Sequence, residues 1–514
     1  MGRAGDFLKH FFFALVVLFN RISSFFQHSE SLYKARFAQI HELTELLTDR
    51  FDDTSLLLGI ADFHNLLCVQ PTTARPELGN LLAVATTRGG KGLLATSQLL
   101  TWPHSVIVND IKGDLFTQTA GYRRTLGKVV VISPQGYGHR YDPLVGKETE
   151  DQLLSVATHL LFDPDERDKV FTQRAITMLT QLFLAARAER YPPLPYVRYM
   201  IRSPLPDVAA RLNTLNPDLA IQFLQVRFDP ATFAKTFFDN KFLVSAWETL
   251  TSRLRPLLTE TVVRTLTGTD VTPQKIICAR QPVTVYLRWP ERDLLALSPL
   301  VRLLWGSLIN GLTDTYDDAA GVNCQPVLLL IDEAGRTAIP ALADNAATVA
   351  GRNISLWLSI QSLSQLDVVY GEARAQIIKD NTFTQLFYKP SDQKTAEYIE
   401  RGLSYTSGFA HSETKHETHS SEGTSEQRIP VLTAWQIKHM TKRTDIFGFY
   451  NSDDELPPFR AKRMDWRHFP LLKERQAMPP PALSPLPELA ETLPLVIPHR
   501  DDSLNGFINP DMTG

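Results

Sequence analysis

The 514-residue sequence has only three cysteines, Cys68, Cys278 and Cys324, scattered and without a C-x-x-C pair. That excludes a disulfide framework and a thiolate zinc site, and it fits a reducing, cytosol-facing compartment. The chain also lacks a basic excess. Its 53 Lys and Arg against 56 Asp and Glu leave a net charge of -3, so any nucleic-acid contact must come from a local patch or a ring of subunits. Nor does the N-terminus hold a long apolar run. In "FLKHFFFALVVLFNRISSFF" the uninterrupted stretch Phe11 to Phe19 is nine residues, well short of the ~20 that span a bilayer. Lys9 and His10 precede it, Arg21 follows it, and no small-residue cleavage site is present. Two readings stand side by side: a segment lying in the membrane interface or on another chain, and an ordinary buried helix.

What is present is ample core, 43% of the residues being hydrophobic, enough for two to three domains. Short apolar, β-branched runs recur at Leu81–Ala85, Ser105–Asn109, Val129–Ile132, Val283–Leu287, Val327–Ile331, Ile354–Ser359, Phe383–Tyr388 and Ile446–Tyr450. Helical patterns lie between several of them, such as Gly92–Leu100 and Asp293–Leu312. Alternating strands and helices predict an α/β fold with a mostly parallel sheet covered on both faces. From about Gly146 to Val271 this rhythm stops. There Phe171, Ala175, Met178, Leu179, Leu182, Phe183 and Ala186 share one helical face, which predicts an inserted all-α domain with boundaries at "PDERDK" and at the Tyr191–Pro195 break. Ser407–Arg428 is polar and predicts a mobile loop or lid. His411, His416 and His419 within it have no metal-ligand spacing. The stretch from Met478 is proline-rich and predicts an extended tail.

"ATTRGGKG", Ala85 to Gly92, is nearly a phosphate-binding loop, with Ala85 where the first glycine of G-x-x-x-x-G-K-[ST] stands and Gly92 where the hydroxyl stands. It follows a predicted strand and precedes a predicted helix, the required context. Thr87, Arg88, Gly89, Gly90, Lys91, Gly92 and Leu93 are therefore the nucleotide-binding candidates. "VLLLIDEAG" reads as a Walker B strand, with Asp332 as the magnesium carboxylate and Glu333 as the base that activates water. Lys91 and Asp332 stand 241 positions apart, room that the helical insertion fills. Gly92 offers the metal no hydroxyl. Thr86, Thr87, Thr96, Ser97 or water are the substitutes.

These residues, with "TTRGGKGLLATSQLLTWPHSVIVNDIKGDLF", "YDPL", "PVTVYLRWPERDLLALSPLVRLL", "GRNISLWLSIQSLSQLDVVYG" and "TAEYIERGLSYT", resemble the coupling ATPases of type IV secretion and conjugation, the TraG/TraD-like family, from Gly79 to about Phe469. That family tolerates G-K-G. The resemblance implies a RecA-like P-loop NTPase domain with an inserted all-α domain, using ATP and Mg2+ and assembling as a homo-hexamer around DNA. It also implies Arg352 as the arginine reaching a neighbour's nucleotide and Gln361 as the sensor beside the γ-phosphate. Asp110 and Lys112 match a family motif for which structural pairing and nucleotide or DNA contact both remain open. Lys112, Arg123, Arg124 and Lys128 are pore candidates, with scattered solvated charges as the plainer reading. Typical members carry two membrane-spanning helices, which this N-terminus does not match. The expectation is peripheral docking at the cytoplasmic side of the inner membrane.

The expected division is an N-terminal segment at 1–60, nucleotide-binding domain at 61–145 and 272–475, inserted domain at 146–271 and tail at 476–514. The expected function is an ATP-driven motor that recruits DNA, single-stranded and without base readout, as a relaxase complex, or else an effector protein, and delivers it to the channel components of a type IV secretion system. The alternatives are a non-hydrolysing docking receptor for secreted effectors and another hexameric DNA translocase.

Overall fold

The structure, a computed structural model, describes residues 33–488 except 62–64, 74, 162–168, 230, 232–239, 337, 416–419, 441–444 and 452–455. The apolar run at Phe11–Phe19 and the end of the proline-rich tail lie outside the described residues, as do His416, His419 and most of the "PDERDK" boundary. Among the described residues, no helix is long and apolar enough to cross a membrane.

The strands in chain order are β1 (Leu47–Thr48), β2 (Leu56–Ile60), β3 (Leu66–Val69), β4 (Leu81–Val84), β5 (Ser105–Asp110), β6 (Lys128–Ile132), β7 (Val283–Arg288), β8 (Val327–Ile331), β9 (Ile354–Ile360), β10 (Thr384–Phe387), β11 (Tyr405–Lys415), β12 (Ser420–Pro430), β13 (Asp445–Tyr450) and β14 (Phe459–Lys462). Twelve of them form one sheet in the order β1-β3-β2-β14-β13-β10-β4-β9-β8-β5-β7-β6. The run β10-β4-β9-β8-β5 is parallel throughout. β4, β5, β8 and β9 are buried along their whole length, which is why they read as continuous apolar runs rather than alternating ones. Asn80, fully buried just before β4, ties the sheet. Its amide donates to the carbonyls of Ala346 and Asn381 and accepts from the N–H of Leu356.

The chain divides into two compact units. The first comprises Met1–Val129, Gln274–Tyr286 and Leu312–Pro481, and it contains all five of the parallel strands just named. The second comprises Val130–Pro273, Leu287–Gly311 and Ala482–Gly514. Its stretch 150–265 is helical among the described residues. Helix Val170–Ala188 buries Ala175, Met178, Leu179, Leu182, Phe183 and Ala186, the face set by i, i+4, i+7 spacing, and Phe171 sits at its edge against Phe242. The chain breaks at Tyr191 and resumes helix at Pro193–Met200, where proline at the first turn costs no hydrogen bond.

Three expectations are corrected. Ser407–Arg428 does not form an irregular loop: β11 and β12 pair antiparallel from Tyr405↔Pro430 to Lys415↔Ser420. The backbone ladder needs no apolar alternation, so hydrophobic periodicity carries no signal for it. Arg123 is no pore residue. It is 1% exposed and donates to Thr284 Oγ1 at 2.8 Å and to the carbonyls of Trp102 and His104, and burial pushes its pKa down to about 10. The cysteines are not all scattered in space: Cys278 and Cys324 stand as free thiols with Sγ atoms 3.8 Å apart, while burial pushes the Cys68 thiol up to about 12.

Candidate functional site

The carboxyl ends of β4, β5, β8 and β9 come together at one edge of the first unit, the place where ligands sit in parallel α/β sheets. After β4 the chain turns through Arg88 (φ 62°) and Gly90 (φ 117°) into helix Lys91–Thr101. The Gly89 N–H closes a turn onto the Thr86 carbonyl at 2.8 Å, and Gly90 is the N-cap of the helix. The helix opens with no side-chain cap, an N-terminus whose dipole suits an anion.

Lys91 projects from that helix to the end of β8. Its Nζ is 2.9 Å from Glu333 Oε1 and 3.9 Å from Asp332 Oδ1. Glu333 itself adopts φ 58°, a strained conformation for a residue with a Cβ, and it is 3% exposed. Gln361, directly after β9, donates its Nε2 to Glu333 Oε2 at 3.0 Å and lies 3.4 Å from Thr87 Oγ1. Lys112 Nζ, beyond β5, is 3.7 Å from Glu333 Oε1. Asn109 donates to the Asp332 carbonyl at 2.9 Å. Asp110 caps the helix Asp114–Leu126, accepting from the N–H of Leu115 and Phe116, a positioning role.

Burial pushes the Asp332 carboxyl above the usual range despite Lys91 beside it. Burial acts on Glu333 too, but Lys91, Gln361 and Lys112 together outweigh it and hold its carboxyl below the usual range. Asp332 Oδ1 is buried and has no hydrogen-bond partner. An orphaned carboxylate oxygen beside the phosphate-loop lysine suits a hydrated divalent cation carried in with a polyphosphate.

Of the residues picked from sequence, Thr87, Arg88, Gly89, Gly90, Lys91, Gly92, Leu93, Asp332, Glu333 and Gln361 meet at this edge. Arg352 does not. It pairs with Asp317, Nε to Oδ1 and Nη2 to Oδ2 both at 2.8 Å, and donates to the Thr348 carbonyl. Among the hydroxyls offered for the metal, Thr96 and Ser97 are buried and engaged with Gln118 and the Leu93 carbonyl, which leaves Thr86 and Thr87 at the loop. Sequence reasoning missed the far side of the loop. There a cavity of about 310 Å³ is lined by Thr86–Gly89, Lys389, Ser391, Lys438 and His439. A larger cavity, about 1010 Å³, opens by Phe383, Gln385 and Tyr398 around the start of β10 and shares no residue with the loop.

A profile of the family described as "Type IV secretory system Conjugative DNA transfer" matches residues 63–484. The conjugal transfer protein TraG of Escherichia coli is 27% identical over 356 residues, 63% of this chain and 54% of that protein. Protein VirD4 of Rhizobium radiobacter is 26% identical over 434 residues, 79% of this chain and 60% of that protein. The chain thus spans little more than half the length of these curated relatives. In fold it is similar to the bacterial conjugative coupling protein TrwBdeltaN70 in its unbound form, with TM-score 0.62 and 15% identity over 85% of this chain and 95% of that one. TrwB in complex with ADP and Mg2+ matches with TM-score 0.60 and 16% identity over 85% of this chain and 96% of that one. The first unit accordingly has the RecA-like P-loop fold.

Proposed function

The chain belongs to the type IV secretory system conjugative DNA transfer family, and from that premise we propose that it is an ATP-driven coupling protein delivering DNA, or a DNA-bound protein, to a secretion channel at the cytoplasmic face of the membrane. The observation that carries the reading is the placement of Lys91 within 2.9 Å of Glu333 and 3.9 Å of Asp332, beneath the left-handed turn at Arg88 and Gly90.

In this reading the loop N–H groups and Lys91 bind the phosphates of ATP. Asp332 would hold a hydrated Mg2+, whose charge would help neutralise the phosphoryl oxygens. Glu333, its carboxyl held ionised by the neighbouring amines and by Gln361, accepts a proton from the attacking water. Gln361 spans from Glu333 to Thr87 and so couples the base to the phosphate loop. Without nucleotide, Lys91 and Glu333 neutralise each other. An arriving phosphate competes for Lys91 and releases the base, so Glu333 becomes free as the substrate binds. Arg352 completes a neighbouring subunit's site in the ring. This is supported by its exposure and by its lack of contact with the Lys91 cluster of its own chain.

The test is ATP turnover with and without single-stranded DNA. Lys91→Ala should abolish nucleotide binding. Glu333→Gln should lower kcat by about 100-fold or more, while nucleotide binds at least as tightly, because Lys91 has lost its competing carboxylate. Absence of turnover by the wild type in every assembly state, together with tight binding of an effector protein, would replace the motor with a docking receptor.

A further inference from the structure

Arg463, just after β14, lies against the phosphate loop at Gly90. A Cβ built on Gly90 would meet Arg463 Cδ at 3.2 Å, Tyr388 Cε1 at 3.4 Å and Arg463 Nη1 at 3.6 Å. Glycine, favoured there by φ 117°, leaves room for this side chain against the loop. Neighbouring cations on the same strand and turn all have carboxylates. Arg460 and Lys462 share Asp445, and Arg467 pairs with Asp465. Among the described residues, Arg463 makes no hydrogen bond or ion pair. The Tyr388 hydroxyl beside it is buried and likewise has no hydrogen-bond partner. A half-buried guanidinium beside Gly90, at the N-terminus of helix Lys91–Thr101, adds positive charge where the helix dipole already favours an anion.

We propose that Arg463 is a second cationic ligand, supplied by the same chain, for the phosphate chain of the nucleotide that Lys91 binds. The inference rests on the nucleotide-site reading above and adds a residue to it. The guanidinium would donate charge-assisted hydrogen bonds to phosphate oxygens across Gly90, while Lys91 approaches from the helix.

Equilibrium binding of Mg-ATP, Mg-ADP and AMP to the full chain, by titration calorimetry, tests this with wild type, Lys91→Ala, Arg463→Gln and Arg463→Lys. Arg463→Gln is expected to weaken ATP and ADP binding by about tenfold or more. Arg463→Lys should restore part of that loss, and the melting temperature without nucleotide should stay unchanged, which a merely structural arginine would not leave so. Wild-type affinity in Arg463→Gln, with Lys91→Ala still defective, would overturn this inference and spare the nucleotide site. Failure of the wild type to bind any of the three nucleotides would overturn both.

Discussion

Gly92 shows how one side chain's absence can be tuned without touching the fold. A Cβ there meets nothing within 4 Å, and the residue occupies the second position of helix Lys91–Thr101, where serine is accommodated. Gly92→Ser is therefore expected to leave the unliganded protein as stable or more stable, by about 0.5 kcal/mol, because glycine has the greater backbone freedom to lose on folding. If the missing hydroxyl weakens the metal site, the same variant lowers the Mg2+ concentration needed for half-maximal turnover. An unchanged Mg2+ requirement would show that Thr86, Thr87 or water already fills that place. The residue scale also sets a limit on sequence reading. Glu333 was identifiable from "IDE", but its positive φ, which turns the carboxylate toward Lys91, comes from the turn that follows, where Arg336 donates back to the Glu333 carbonyl.

Among the elements, the antiparallel strands β13 and β14 are joined by charge as well as by their ladder. Asp445, buried at the start of β13, pairs with Arg460 at 2.5 Å and with Lys462. Burial raises its carboxyl pKa, but the two cations outweigh that and leave it below the usual range. The sign follows directly: a carboxyl held low stabilises the fold above its unfolded pKa, and the contribution is lost as the pH falls through the folded value. Both cations are about half exposed, so solvent screening discounts the effect to about 1 kcal/mol. Asp445→Asn should lower the melting temperature at neutral pH and flatten its decline below pH 4, as read by calorimetry across a pH series. An acid limb as steep as that of the wild type would remove the assigned cause. The hairpin β11–β12 belongs to this scale as well. Its eleven residue pairs were invisible to a search for apolar alternation, because a backbone ladder needs none.

For the whole molecule, the decisive residue is Arg352, which the sequence places after Walker B and the structure ties to Asp317. If it serves a neighbour, Arg352→Ala and Glu333→Gln are each inactive alone, yet mixed assemblies contain sites with both groups intact. Turnover should reappear on mixing, measurable as ATP hydrolysis at fixed total protein. Full activity of Arg352→Ala alone would reduce the residue to an exposed ion pair. The parallel core, the phosphate loop and the acidic pair were legible in the sequence, because buried strands are continuously apolar and a phosphate loop has a local spelling. Arg463 and the Cys278–Cys324 approach were not, and Lys112 was picked out but not its approach to Glu333, since each depends on segments distant in the chain that the fold brings together. By itself, the sequence determined which chemistry the chain carries and which strands bury it. Only the tertiary structure decided which charges meet at the carboxyl ends of those strands and which, like Arg352 and Arg123, are held elsewhere. Local pattern encodes burial and backbone shape, whereas electrostatic partnership is a property of distance in space.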